Sequence, residues 1–253
     1  MLESYIRQQQ KKKDILLMTH IVMGYPSFEH AYDIVRQMVD AGVDLMELQI
    51  PFSEPMADGP VILKANQKAL EGGSTVSRCF DFAQQVAEEF SIPFLFMSYA
   101  NILYQYGMDR FAEKMAGIGL TGAIVPDLPP EEGGDYIQAM ADHQMSPVFI
   151  FSPETSDQRM AYLSSAAKGF VYCVARKGVT GRDTVFSDSL AAYLERCRSA
   201  TDLPLAVGFG VRERADVDYL KGLADIAVIG SQTIRIVEEQ GVLATGPFIR
   251  SLR

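Results

Sequence analysis

Asp44-Leu45-Met46-Glu47-Leu48-Gln49-Ile50-Pro51-Phe52-Ser53-Glu54-Pro55-Met56-Ala57-Asp58-Gly59-Pro60 begins as an apolar run and breaks into a proline-rich loop. Over Asp44–Ile50, alternation puts Leu45, Glu47 and Gln49 on one face of a strand and Met46, Leu48 and Ile50 on the other. In a buried strand, Glu47 is a carboxylate where apolar side chains are expected, which costs free energy unless it has a use. Asp58 follows in a loop able to fold back over the strand end. Two carboxyls in different environments are what acid–base chemistry near neutral pH requires.

The same grammar extends in both directions. Upstream, Ile15–Val22 reads as a strand closed by Gly24-Tyr25-Pro26, after a helical stretch over residues 2–11. Ser27 then caps a helix that runs to about Ala41 and ends at Gly42. Downstream, residues 60–71 and Thr75–Phe90 read as helices. Further strands are expected at Phe94–Met97, Gly122–Val125, Pro147–Phe151, Phe170–Val174, Leu203–Val207 and Asp225–Ile229. The helices between them are expected at Met108–Gly117, about Pro130–His143, Ser156–Ala166, Ser187–Ala200, Arg212–Gly222 and Ser231–Gln240, with a terminal helix after the last. Eight strand candidates, each followed by helix and undivided by any linker, predict one domain over residues 1–253. The fold expected is an α/β TIM (β/α)8 barrel with an extra N-terminal helix and a short extra helix after strand eight. An open doubly wound sheet is the alternative, but it would carry its glycine fingerprint after the first strand. Here the glycine motifs sit in the last third of the chain.

Composition narrows the partners. Of the 253 residues 48% are hydrophobic, and the net charge is -9, which argues against nucleic acid as the main partner. An anionic ligand must therefore be held by local dipoles and backbone amides. Cys79, Cys173 and Cys197 form no metal-ligand or redox motif, so packing roles, no metal and a cytoplasmic location are expected. No stretch approaches the ~18 apolar residues of a membrane span, so no membrane partner is expected.

In a TIM barrel the site is built at the C-terminal ends of the strands. Three glycine-bearing segments fall there: Gly178-Val179-Thr180-Gly181, Gly208-Phe209-Gly210 and Gly230-Ser231. Each alone is an ordinary loop; together, in this order, they point to a phosphate site with Ser231 opening a helix. Glu47 reads as an active-site carboxylate or as a strand-edge residue. Asp58 before Gly59-Pro60 reads alone as a turn or cap, and Tyr172 as core or pocket. His20 ends strand one and faces either pocket or core, while His30 and His143 are expected on the surface.

With these segments in hand, the chain resembles the tryptophan synthase alpha subunit over nearly its whole length. The resemblance rests on Glu47–Pro60, Tyr99-Ala100-Asn101, Arg176–Gly181, Gly208–Gly210 and Gly230-Ser231. It implies a TIM barrel that cleaves indole-3-glycerol phosphate to indole and glyceraldehyde 3-phosphate by a retro-aldol reaction, with no metal or cofactor. Glu47 would be the acid/base, and Asp58 would accept the indole N–H and stabilise charge developing on the ring. Tyr172, Tyr99, Thr180 and Gln49 would contact substrate. Gly181, Gly210, Gly230 and Ser231 would hold the phosphate, and Thr180 would meet Asp58 on closure. The resemblance also implies a pyridoxal-phosphate beta subunit as partner, in an alpha-beta-beta-alpha complex, with the Ser53–Asp58 loop near the interface.

Three residues depart from the family pattern. Gln49 replaces a glycine, Glu54 an aspartate, and His20 an apolar or aromatic residue. Gln49 is expected to fill substrate space or to hold Glu47 by a hydrogen bond. Two other functions remain open at this stage: a stand-alone or shifted-substrate lyase, and a phosphate-binding subunit that regulates a beta partner.

Overall fold

The computed structural model describes residues 2–174, 188–208 and 210–253. The strands are β1 (Leu16–Val22), β2 (Leu45–Gln49), β3 (Phe94–Met97), β4 (Gly122–Ile124), β5 (Ser146–Val148), β6 (Ile150–Phe151), β7 (Val171–Val174), β8 (Leu205–Gly208) and β9 (Ile226–Ile229). All pairings are parallel, in the order β5-β4-β3-β2-β1-β9-β8-β7-β6. The two ends of that order, β5 and β6, are separated in the chain only by Phe149, so a single strand path closes the sheet. Phe149 leaves the ladder to β4, yet its carbonyl accepts the Tyr172 N–H of β7 at 3.0 Å. The expected strand Pro147–Phe151 is therefore one barrel position with a break in it, and the nine segments fill the eight positions of a (β/α)8 barrel.

Every residue of β1 and of β2 is buried, as expected of strands covered on both faces. One face packs outward against helices through Leu17, Ile21, Met46, Leu48 and Phe96. The other fills the barrel with Leu16, Met18, Leu45, Leu95, Val148, Phe170 and Val228. Helix α1 (Leu2–Gln10) plugs the bottom, with Leu2 and Ile6 in that inner cluster. Gly169 (φ +82°) makes room for it, since a Cβ there would lie 2.8 Å from Leu2. Asp44, just before β2, is buried but structural: it accepts the Leu17 N–H at 2.9 Å and pairs with Lys13 and Arg253.

The helices follow the sequence closely at capped ends. In α2 (Phe28–Asp40), Ser27 accepts the His30 N–H; in α3 (Pro60–Glu71), proline stands at the first turn; in α4 (Val76–Glu89), Thr75 accepts the Arg78 N–H. The sequence reading missed α5 (Ala100–Tyr106). Its N-cap residue, Tyr99, makes no side-chain capping bond, and only Leu103 is buried, so the segment carries no local start signal and no apolar period. It ends at Gly107 (φ +93°), from which α6 (Met108–Gly117) departs. Two helices came out shorter than expected: α7 (Gly134–Asp142), and α10 (Arg214–Leu220) with its Glu213/Asp216 capping box. The remaining helices are α8 (Asp157–Ala166), α9 (Asp188–Ala200), α11 (Ser231–Gln240) and α12 (Thr245–Ser251), with a 3-10 turn at Val242–Ala244 before α12. Cys79, Cys173 and Cys197 are free and buried. No helix among the described residues is long and apolar enough to cross a membrane.

Candidate active site

The inward parity of the strands puts polar groups above the apolar filling. On β1 the inner face runs Leu16, Met18, His20; on β2 it runs Leu45, Glu47, Gln49. His20 and Glu47 are register partners, as are Val22 and Gln49. Glu47 is 4% exposed, His20 3% and Gln49 0%. Such burial of a carboxylate is costly without a partner, and the partner is His20, whose Nδ1 lies 3.2 Å from Glu47 Oε1. Burial alone pulls the His20 pKa down, but Glu47, then Asp58 and Gln49, outweigh it, so the pKa sits above the ordinary 6.5.

The proline-rich loop does fold back. Asp58 accepts two hydrogen bonds on Oδ2, from Gln49 Nε2 at 2.6 Å and from the Tyr99 hydroxyl at 3.0 Å. Tyr99 in turn accepts the Ala57 N–H at 3.2 Å, so its hydroxyl clamps the loop on both sides of the Ala57–Asp58 link. Phe52 stacks on the Tyr99 ring at 5.1 Å, and buried Asn66 of α3 accepts the Phe52 N–H at 2.9 Å. Burial raises the Asp58 pKa above 3.8, against the lowering effects of His20, Gln49 and Tyr99. The amide of Gln49 thus goes to Asp58 and not to Glu47, which corrects one expectation. The reason is geometric: the loop delivers Asp58 to the end of β2, where Gln49 is the last inward residue.

Tyr172 faces the same mouth from β7, its phenol pKa pushed well up by burial and by the charges of Glu47 and Asp58. Its ring lies over Gly208, where an added Cβ would come within 2.5 Å of the ring and hydroxyl. Gly208 is therefore a packing glycine for Tyr172. Gly230 and Ser231 stand where β9 passes into α11, whose start has no side-chain cap. Gly210 (φ +76°) follows β8 and is exposed. These three stand at the ends of the last two strands, where α11 directs its first-turn amides to the barrel mouth. Thr180 and Gly181 lie outside the described residues.

The site brings together Glu47, Asp58, Gln49, Tyr99 and Tyr172. The sequence reading left His20 open, and the structure sets it against Glu47. Asp127 was missed altogether. It accepts the Ala100 N–H at 2.9 Å and so fixes the start of α5 just beyond Tyr99; its only signal was the Pro126-Asp127 turn after β4. His30 is exposed, and His143 is half-buried beside Asp109. Among the described residues no group of acidic, histidine or cysteine side chains is arranged to hold a metal ion.

Replacing Gln49 by glycine removes an amide from the mouth and one of the two donors to Asp58. Gln49→Gly is expected to change KM, or the order of preference among ring-substituted substrates, more than it changes the fold. Steady-state kinetics across such a series checks this, and identical constants throughout would place the side chain outside the substrate's reach.

A family model described as "Tryptophan synthase alpha chain" matches residues 6–246. The tryptophan synthase alpha chain of Desulforapulum autotrophicum is 66% identical over 252 residues, covering 100% of both chains. That of Syntrophotalea carbinolica is 62% identical over 253 residues, again covering 100% of both. Among solved structures, a Mycobacterium tuberculosis tryptophan synthase superposes with a TM-score of 0.93 at 29% identity, covering 99% of this chain and 96% of that one. The tryptophan synthase alpha subunit of Legionella pneumophila gives 0.90 at 28% identity, with the same coverage.

Proposed function

The chain belongs to the tryptophan synthase alpha chain family, and on that premise we propose how its own residues carry the family's reaction. The enzyme is a carbon–carbon lyase of tryptophan biosynthesis that splits indole-3-glycerol phosphate into indole and glyceraldehyde 3-phosphate. It takes no cofactor itself; pyridoxal phosphate belongs to the beta subunit with which an alpha chain works.

In this reading Glu47 gives a proton to the indole ring carbon that bears the glycerol chain, and takes the proton of the adjacent side-chain hydroxyl. The ring carbon–side chain bond then breaks, leaving indole and an aldehyde with no net change in protons. Asp58 accepts the indole N–H and balances the positive charge that ring protonation creates. Tyr172 and Tyr99 border the ring, with Gln49 beside them. Gly210, Gly230 and Ser231, with Gly181 of the loop after β7, receive the phosphate, and Thr180 of that loop contacts substrate and meets Asp58. The observation that carries this reading is the convergence of two carboxylates with separate supports: Glu47 backed by His20, and Asp58 held by Gln49 and Tyr99.

The partner reading is finer than the family alone supplies. We place the beta subunit on the face that carries the Ser53–Asp58 loop, where Met56 (73% exposed) stands out beside the site, and Tyr104 of α5 (75%) adds apolar surface. An alpha-beta-beta-alpha assembly of single-domain alpha chains in the cytoplasm fits this face and the three free, buried cysteines. Indole release is expected to rise when the cognate beta protein is added, with a complex visible by sedimentation. An unchanged rate and no complex would favour a stand-alone lyase.

A further inference from the structure

Among the described residues, two buried polar atoms at the mouth have no hydrogen-bond partner: His20 Nε2 and Gln49 Oε1. The other end of each side chain is committed to a carboxylate, His20 Nδ1 to Glu47 at 3.2 Å and Gln49 Nε2 to Asp58 at 2.6 Å. Leaving such an atom unpaired costs about 1–3 kcal/mol, and here two complementary ones occur on adjacent strands. Gln49 stands one inward step beyond Glu47, the register partner of His20, so the two side chains are diagonal neighbours at the same end of the barrel. With Gln49 Nε2 fixed on Asp58, its carbonyl oxygen is the end left for another group.

We propose that His20 and Gln49 are a positioning pair that links the two carboxylates in one chain, Glu47–His20–Gln49–Asp58. The imidazolium donates through Nδ1 to Glu47 and through Nε2 to the Gln49 carbonyl, and Gln49 donates onward to Asp58. No atom is transferred in forming the link; a small rotation of either side chain closes it. A single cation between two carboxylates fixes the rotamers of both and offsets their mutual repulsion in a site with little water. The pair also explains the two departures in the barrel mouth together: a histidine without the amide would leave Nε2 unpaired, and an amide without the histidine would leave Oε1 unpaired.

The groups that act on His20 from the packed elements are Glu47 and Gln49 of β2 and Asp58 of the following loop. Tyr172 of β7 stands in the field of the same two carboxylates. From α11 and its approach, the His20 Cβ and backbone meet neutral groups: the Cβ position of Gly230 at 3.9 Å from the His20 Cβ, and Thr233, which donates to the His20 carbonyl at 3.4 Å. The proposal deepens the reading above, since it takes Glu47 and Asp58 as the working carboxylates.

Its test begins with the ligand-free protein and needs no turnover. The chain has three histidines, so the His20 ring signal is assigned by its loss in His20→Asn and followed against pH by NMR. The wild-type signal is expected to titrate above 6.5, the ordinary histidine value. Glu47→Gln is expected to lower that midpoint by about one unit or more, as for loss of an opposite charge in contact. Gln49→Gly is expected to lower it by a smaller amount. A midpoint at or below the ordinary value, or one that either substitution leaves in place, would overturn the link. In kinetics, wild-type kcat/KM is expected to fall as pH rises through the same midpoint, while His20→Asn, which keeps a donor for Glu47 but no charge, loses that limb. Superimposable profiles would also overturn it. A merely structural role for His20 would scale rates without moving either midpoint. Failure of the lyase reading would instead appear as full activity in Glu47→Gln, whatever the NMR result.

Discussion

Glu47→Gln is expected to lower kcat for indole release by at least about a hundredfold, the usual range for loss of a positioned general acid/base. The substitution keeps the shape of the side chain and an oxygen facing His20, so the barrel is expected to fold unchanged. What disappears is the ability to exchange a proton with the substrate at a buried position where water does not substitute for it. KM is expected to move little, because the proposed phosphate groups, Gly210, Gly230 and Ser231, lie on strand ends other than that of Glu47. Steady-state kinetics of indole formation checks the split between kcat and KM. A variant that turns over like wild type would remove Glu47 from the mechanism, and with it the reason for a carboxylate only 4% exposed inside a barrel.

For Asp58→Asn the expected loss in kcat is about 10²–10³-fold, the scale of removing one preorganised electrostatic group from a developing charge. Asparagine retains an oxygen able to accept from both Gln49 Nε2 and the Tyr99 hydroxyl, so the loop keeps its position. Only the charge is lost, and it is lost where the ring becomes positive. The pH profile carries a second signature. Burial raises the Asp58 pKa above 3.8, so the wild-type carboxylate takes up its proton at a higher pH than an ordinary aspartate. Activity falls as pH drops through that value, and the asparagine variant lacks this acid limb. Wild-type kcat in the variant would leave ring charge to be stabilised by another group.

The barrel was legible because its strands are short apolar runs buried on both faces and its helices begin at side chains that cap them. Ser27, Thr75 and Ser156 mark three helix starts, and each accepts the backbone N–H three residues on. Parity put Glu47 on one face of β2 with Leu45 and Gln49 and left it open between pocket and strand edge; its burial beside His20 excludes the edge. Other features depend on geometry that a linear pattern does not carry. The pairing of His20 with Glu47 is set by the register of β1 on β2, and residues 27 apart in the chain do not announce that register. The partner of Gln49 is set by how far the 51–60 loop returns, which Tyr99 before α5 and Asn66 of α3 decide from outside it, both through Phe52 of the loop and Tyr99 also through Asp58. Helix α5 escaped because seven residues with a single buried side chain give no period to read. The break at Phe149 has no residue that marks it.

The most direct measurement is product balance from the purified chain supplied with indole-3-glycerol phosphate, with Glu47→Gln run beside it. Wild type is expected to release indole and glyceraldehyde 3-phosphate in equal amounts, and the variant almost none over the same time. No indole from the wild-type chain, or equal release from both proteins, would contradict the central claim that Glu47 carries the proton chemistry of a carbon–carbon lyase.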